Sequence, residues 1–224
     1  MYIPNDFQEV RPEEITSLIK NYPLACIVAN TAKGLIATHV PLIMRSDNVL
    51  VGHIAIINDM KTLVSDAQEV LCIFKGEDAY ISANYYPSKF EDHRKVPTWN
   101  YQVVHVYGNI NYFSDTKSKL AAIGILTKIS EKEVNGDSGW KMSDAPKEYL
   151  MDQLNDLIVF EINISKVQAQ SKLSQNREKR DFDSVIKNLQ ERGKNEIAES
   201  MLGIERNQYF RFNIIELIRS TLVY

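Results

Sequence analysis

Residues 74–108 read FKGEDAYISANYYPSKFEDHRKVPTWNYQVVHVYG. The stretch opens and closes with the alternation of a β-strand, and its middle is a polar loop marked by prolines. Tyr80, Tyr85, Tyr86, Trp99, Tyr101 and Tyr107 are interleaved here with Ser82, Asn84, Thr98, Asn100, His93 and His105. Flat aromatic faces beside short hydrogen-bonding side chains suit a planar heterocyclic ligand. A tightly packed β-barrel core with a few satisfied polar groups would carry the same residues, and aromatics are more often core than ligand contacts. Both readings stand at this point.

Working outward, Pro12–Asn21 reads as a short helix, with Pro12 in its first turn, Glu13 and Glu14 at its positive end and Ile15, Leu18 and Ile19 on one face. LACIVAN (24–30), GLIATHVPLIM (34–44) and NVLVGHIAII (48–57) then read as three strands of an antiparallel meander, joined by turns at Lys33-Gly34 and Ser46-Asp47-Asn48. Pro41 marks an edge or a bulge in the second, because it cannot donate to a ladder. A short helix is expected over Asn58–Ala67, then a strand EVLCIFK, and a long strand 99–113 that sets Val104, Val106 and Gly108 on the face opposite Val103, His105 and Tyr107. Asp115 is placed to cap a helix over 114–132, Asp144 and Pro146 open another, and 157–170 is the last clear strand. Beyond it FDSVIKNLQERG and NEIAESML read as helices, and the tail FNIIELIRSTLVY (212–224) is apolar enough to need a partner. The expected fold class is therefore mainly β with peripheral helices (α+β), with a body over residues 1–175 and a C-terminal helical extension over 176–224 that packs on the barrel or on a dimer partner.

Composition narrows the function. The 224 residues carry a formal charge of -3, which argues against a broad basic face for nucleic acid. Cys26 and Cys72 sit in apolar runs and read as buried free thiols, with no CxxC or Cys/His metal spacing. MYIPNDFQEV lacks the pattern of a signal peptide, and no uncharged run reaches membrane-spanning length, so a cytoplasmic protein without a membrane partner is expected. The four histidines, His39, His53, His93 and His105, form neither HxH nor HExxH, so no metal site is expected. His39 and His53 fall at comparable positions of successive predicted strands, which would let them neighbour one another. GxSxG, Walker and GxGxxG motifs are absent, so a bound phosphate would be held by side chains. Residues 182–201 have the outline of a helix-turn-helix, but Glu196 and Glu199 on the second helix would repel DNA phosphates.

MYIPNDF, ATHVPL, GHIAIIN, FKGEDAYIS followed by YYPSK, VPTWNYQVVHVYG and KLSQNR occur in that order. Together, over about Met1 to Asp181, they resemble the FMN-binding negative transcriptional regulator family of the Bacillus protease-synthase and sporulation type. The resemblance implies a pyridoxamine-phosphate-oxidase-like FMN-binding split β-barrel, a homodimer with the flavin at the subunit interface, and a role in transcriptional regulation. Carried over by motif, the implied FMN contacts are Thr38 and His39 from ATHVPL, and His53, Ala55 and Asn58 from GHIAIIN. The others are Tyr80, Ser82, Trp99, Asn100 and Tyr101 from the central stretch, and Lys172 and Gln175 from KLSQNR. Trp99 or Tyr80 would cover the isoalloxazine ring, Ser82, Asn58 and His53 would bond its edge or the ribityl chain, and Lys172 would meet the phosphate. The chain departs from the family pattern GHxARxNP, with Ile56 in place of Arg and Asp59 in place of Pro, and Ala83, Asn84 and Tyr85 depart from YISPSWYP. The alternatives are an FMN-dependent oxidoreductase acting on a small molecule, a DNA-binding repressor, and a relative that has lost flavin or takes haem on His39 or His105.

Overall fold

The computed structural model describes residues 1–204. The apolar tail 212–224, expected to pack on the barrel or a partner, lies outside the described residues. Eight strands, β1 (Gln8–Glu9), β2 (Leu24–Thr31), β3 (Gly34–Pro41), β4 (Ile43–Ser46), β5 (Val49–Ala55), β6 (Glu69–Ile81), β7 (Thr98–Phe113) and β8 (Leu157–Lys172), are joined in one sheet. Its neighbours run β3-β2-β6-β7-β8-β5-β4, with β1 on β8. Helices α1 (Pro12–Asn21), α2 (Asp59–Leu63), α3 (Lys89–Asp92), α4 (Thr116–Asn135), α5 (Lys147–Asn155) and α6 (Lys179–Glu191) accompany them, and residues 195–204 are helical as well.

The chain forms two compact units. One takes Met1–Val10, Gly76–Val103 and residues 169–204, and the other takes Arg11–Lys75 and Val104–Gln168. The three longest strands, β6, β7 and β8, each contribute residues to both.

In the second unit, the turn between β2 and β3 uses Gly34 at φ 98°, the left-handed region that favours glycine. Thr31 Oγ1 closes that turn by donating to the Gly34 carbonyl (2.7 Å). The hairpin pairs Cys26 with His39 and Ile27 with Thr38. The meander expected for the first three strands does not continue from there. Pro41 has no N–H to offer, and the next N–H, that of Leu42, donates to the Pro23 carbonyl (2.8 Å). The fully buried Leu42 thus breaks the run into β3 and β4, which end up at opposite ends of the strand order. β5 pairs with β4 and β8, so His53 faces Val159 while His39 faces Cys26, and no ladder joins the two histidines. The helix expected over Asn58–Ala67 stops at Leu63: Asn58 Oδ1 caps it by accepting from Met60 N–H (2.9 Å), and Ala67 turns the chain at φ 60°. Asp115 caps α4 as its sequence position implies, accepting from Ser118 N–H at 2.9 Å.

Alternation decides which face of each long strand is core. On β7 Val104, Val106, Gly108 and Ile110 are buried, whereas Val103, His105 and Tyr107 are half-buried on the other face. Cys72 is fully buried and its thiol is pushed up to about 12 by that burial, with Cys26 adding to the shift. Cys26 is only half-buried, which corrects the expectation of two buried thiols. Two glycines allow close approach. A Cβ at Gly52 would lie 2.6 Å from Leu42 Cδ2, and one at Gly108 would lie 2.5 Å from the Asn163 carbonyl oxygen.

In the first unit, α6 lays Phe182, Val185, Ile186 and Leu189 into a cluster with Ala79, Ile81, Tyr86, Leu173 and, from the helical residues 195–204, Ile197, Ala198 and Met201. Asp181, fully buried in the first turn of α6, fixes the loop after β6. Its carboxylate accepts from Ser88 N–H (3.0 Å) and Ser88 Oγ–H (2.5 Å), with Lys95 Nζ at 3.9 Å.

Gly108→Ala is expected to lower the unfolding free energy by about 1–3 kcal/mol, because the added methyl must displace strand backbone. Gly203→Ala, whose methyl would meet nothing within 4 Å, should leave the urea midpoint unchanged or slightly higher. Equal midpoints for the two variants would show that β7 passes Asn163 with room to spare.

Candidate functional site

The N-terminal end of β7 and the C-terminal end of β8, both in the first unit, gather aromatic, cationic and amide groups. Trp99 is 53% exposed and Tyr80 42%, and their rings meet edge to face, with centroids 5.8 Å apart at 70°. That geometry is favourable in itself, yet it leaves large aromatic faces uncovered. Lys172 Nζ donates to Thr98 Oγ1 (2.7 Å), one residue before Trp99, and lies 5.9 Å from the centroid of the Tyr101 ring. Burial, with the charge of Arg177 second, holds the Lys172 pKa below its ordinary value. Tyr101 O–H donates to Gln170 Oε1 (3.3 Å) and Gln102 Nε2 to Ser171 Oγ (3.1 Å), so polar pairs continue along these strands.

The other implied contacts in this unit have structural partners. Asn100 is fully buried, with Oδ1 accepting from Ser174 Oγ–H (3.0 Å) and Nδ2 directed at Met201 Sδ (3.6 Å). Gln175 ties the turn after β8, accepting from Leu173 N–H (2.8 Å) and donating to the Ser171 carbonyl (2.6 Å). Ser82 caps the short turn Ala83–Tyr85 by accepting from Asn84 N–H at 3.2 Å. Thr98, absent from the sequence-derived set, supplies the hydroxyl under Lys172. Its position in VPTWNY beside Trp99 was the available signal.

In the second unit, Thr38 is half-buried and His39 exposed on β3, and Ala55 is exposed at the end of β5. Asn58 has its Oδ1 engaged by the α2 cap. His53 is half-buried, and its Nδ1 is buried without a hydrogen-bond partner. His105 Nδ1, on β7, is in the same condition. Burial depresses the pKa of both imidazoles below the ordinary value, so both are neutral at pH 7. A buried ring nitrogen without a partner is a polar atom left available to an outside donor or acceptor. Among the described residues no cluster of three or more His, Cys, Asp or Glu side chains could hold a metal. No helix there is long and apolar enough to cross a membrane.

An antiparallel sheet of eight strands with helices segregated around it is a mainly-β α+β fold, and its solved counterparts define it as a split β-barrel. The FAD and haem binding protein from Mycobacterium smegmatis matches with a TM-score of 0.53 at 15% identity, over 74% of this chain and 73% of that one. The flavocytochrome Anf3 from Azotobacter vinelandii matches with a TM-score of 0.51 at 13% identity, over 73% of this chain and 68% of that one. The family follows from sequence. The chain belongs to the family described as "Putative FMN-binding domain", whose model matches residues 1–166. Its relatives include the protease synthase and sporulation protein PAI 2 of Bacillus subtilis, 35% identical over 195 residues, covering 85% of this chain and 89% of the relative.

The depressed histidines set a pH dependence. In the unfolded chain each imidazole binds its proton near pH ~6.5, whereas the folded chain resists protonation until lower pH. The unfolded state therefore holds more protons in that window, and stability falls as pH falls through it. The urea midpoint is expected to be flat from pH 8 to 7 and to decline towards pH 5.5, with a shallower decline in His53→Gln. An unchanged slope in that variant would remove His53 as a source.

Proposed function

We propose that this protein is a cytoplasmic homodimeric module that binds FMN at its subunit interface and serves a regulatory role. The observation that carries the reading is the Trp99–Tyr80 pair with Lys172 on Thr98, found in a chain of the FMN-binding family. The residues fit the two ends of the nucleotide. A flavin has a wide planar ring, which the exposed faces of Trp99 and Tyr80 would cover, excluding water. It also has a terminal phosphate, for which the Lys172 ammonium would act as a point charge. Ser82, just after β6, and Tyr101, near the start of β7, would bond the ring edge or the ribityl hydroxyls. When bound, the flavin supplies redox chemistry, and the chain supplies binding, orientation and exclusion of solvent. No side chain of the cluster is an evident general acid or base, which favours a binding module over an oxidoreductase.

One feature supports the homodimer. Trp99, Tyr80, Phe90 and Val96 are large apolar side chains left exposed in one unit, and such groups mark interaction surfaces when they are contiguous. The regulatory part rests on the family resemblance.

The absorption spectrum of the purified protein, before and after adding FMN and desalting, tests the cofactor. Retained flavin bands are expected, and Trp99→Ala should lose them. A haem band, or a colourless protein that cannot be loaded, would overturn FMN as the ligand. Lys172 gives a sharper test, because riboflavin has the ring without the phosphate. FMN should bind about tenfold or more tightly than riboflavin, as a charge-assisted contact implies, and Lys172→Gln should erase the difference. Since the lowered pKa of Lys172 makes it lose its proton earlier than an ordinary lysine, the FMN preference should shrink as pH rises, starting below ~10.4. A preference that survives in Lys172→Gln would move the phosphate elsewhere. Steady NADH oxidation by the loaded protein would favour the enzyme, and a mobility shift at low salt would show DNA binding.

A further inference from the structure

Away from these strand ends, α4 and the segment that follows it enclose a cavity of about 590 Å³. That is within the size range of small-molecule sites, roughly 300–1,000 Å³. Its walls include Gly124, Lys128, Lys132, Trp140, Lys141 and Met142. We propose that this cavity is a binding site for a small planar aromatic anion, with a carboxylate as its charged group.

The segment is seated by specific bonds. Gly139 passes so close to α4 that a Cβ there would lie 3.0 Å from both the Glu131 Cβ and its carbonyl oxygen. Glu131 Oε2 accepts from Trp140 N–H (3.0 Å) and from Asn135 Nδ2 (2.8 Å), and Lys141 N–H donates to Asp144 Oδ2 (2.9 Å). The backbone of Trp140 is thereby fixed although the side chain is 43% exposed. A half-uncovered indole on an anchored backbone is an aromatic wall, and the anchored backbone lowers the ordering cost of stacking. Met142 gives a polarizable neighbour suited to aromatic contact, and Gly124 leaves space where any side chain would enter, since even a Cβ there would already touch Met142 Sδ at 3.7 Å.

Charge selects the ligand's sign. Lys128, Lys132 and Lys141 all line the cavity, and among the described residues none of the three ammonium groups is in an ion pair. Glu131, whose carboxylate accepts from Trp140 and Asn135, and Asp137 offset two of the three cations and leave one positive charge in surplus. The aromatic wall with a surplus cation fits an aryl carboxylate. An aromatic cation would meet like charge.

The probe is 2-naphthoate, followed by the two indole N–H signals in ¹H–¹⁵N NMR spectra of the full chain. The protein has two tryptophans, so Trp99→Phe assigns both. Saturable movement of the Trp140 signal is expected, weakened by Gly124→Leu, whose side chain projects into the cavity. Lys128→Gln with Lys132→Gln, both on the surface, should weaken binding about tenfold, and neutral 2-naphthamide should bind about tenfold more weakly than the carboxylate. A Trp140 signal that stays still, or that moves equally in Gly124→Leu, overturns the site. Equal affinity for naphthamide and naphthoate overturns the anion.

Discussion

At Gly108 strand β7 lies against β8 with no room for a side chain, and the register of β7 depends on that constraint. With the Asn163 carbonyl 2.5 Å from where a Cβ would stand, only glycine fits without a shift. A slip of one residue would bring Tyr107 or Asn109 into that place in the strand and exchange the two faces of β7. The register that Gly108 pins puts Val104, Val106 and Ile110 in the core and keeps His105 and Tyr107 on the opposite face. Gly52 does the comparable service on β5, where a Cβ would meet Leu42 and Phe160.

The first unit has a second fixed point. Asp181 is an ionisable group with no exposure, placed at the start of α6 where the helix's positive end favours a carboxylate. It spends both oxygens on Ser88. The amphipathic α6 then has one orientation available, because its apolar face must cover Ala79, Ile81, Tyr86 and Leu173. The Arg180–Glu91 ion pair ties the same loop at its surface, where such pairs contribute less, and Lys95 Nζ lies 3.9 Å from the buried Asp181 carboxylate. The rigidity of residues 82–97 therefore comes from a buried carboxylate and an apolar helix face.

Much of this was legible in the residues. The alternation in 99–113, the Asp115 cap, Pro12 at the first turn of α1 and the Lys33-Gly34 turn all depend on local chemistry, and each stands where local chemistry puts it. The strand order was not legible, since pairing of β5 with β8 joins residues more than a hundred positions apart. The break at Leu42 was hidden for the same reason: the acceptor for its N–H is Pro23, on another element. Asn100 shows the limit for the site. An asparagine beside Trp99 reads as a ligand contact, but alternation turns it inward onto Ser174 and Met201. The Lys172–Thr98 bond spans 74 positions and had no local signature.

Ile56 bears on how the proposed nucleotide would be held. It is 47% exposed and its neighbour Ile57 88%, on the turn between β5 and α2. Had Ile56 been buried, its replacement of the arginine in the family pattern would be a matter of core packing. Its exposure makes the substitution a change in what the surface offers, an aliphatic side chain instead of a guanidinium. An arginine keeps its charge at any working pH and can grip two phosphate oxygens with its planar fork. A lysine offers one compact charge, and Lys172 is partly desolvated and lies under the field of Arg177. In the proposed complex, a phosphate contact made by Lys172 would therefore be weaker in geometry and more sensitive to pH than one made by a guanidinium. The ring contact on Trp99 and Tyr80 would then carry a larger share of the affinity.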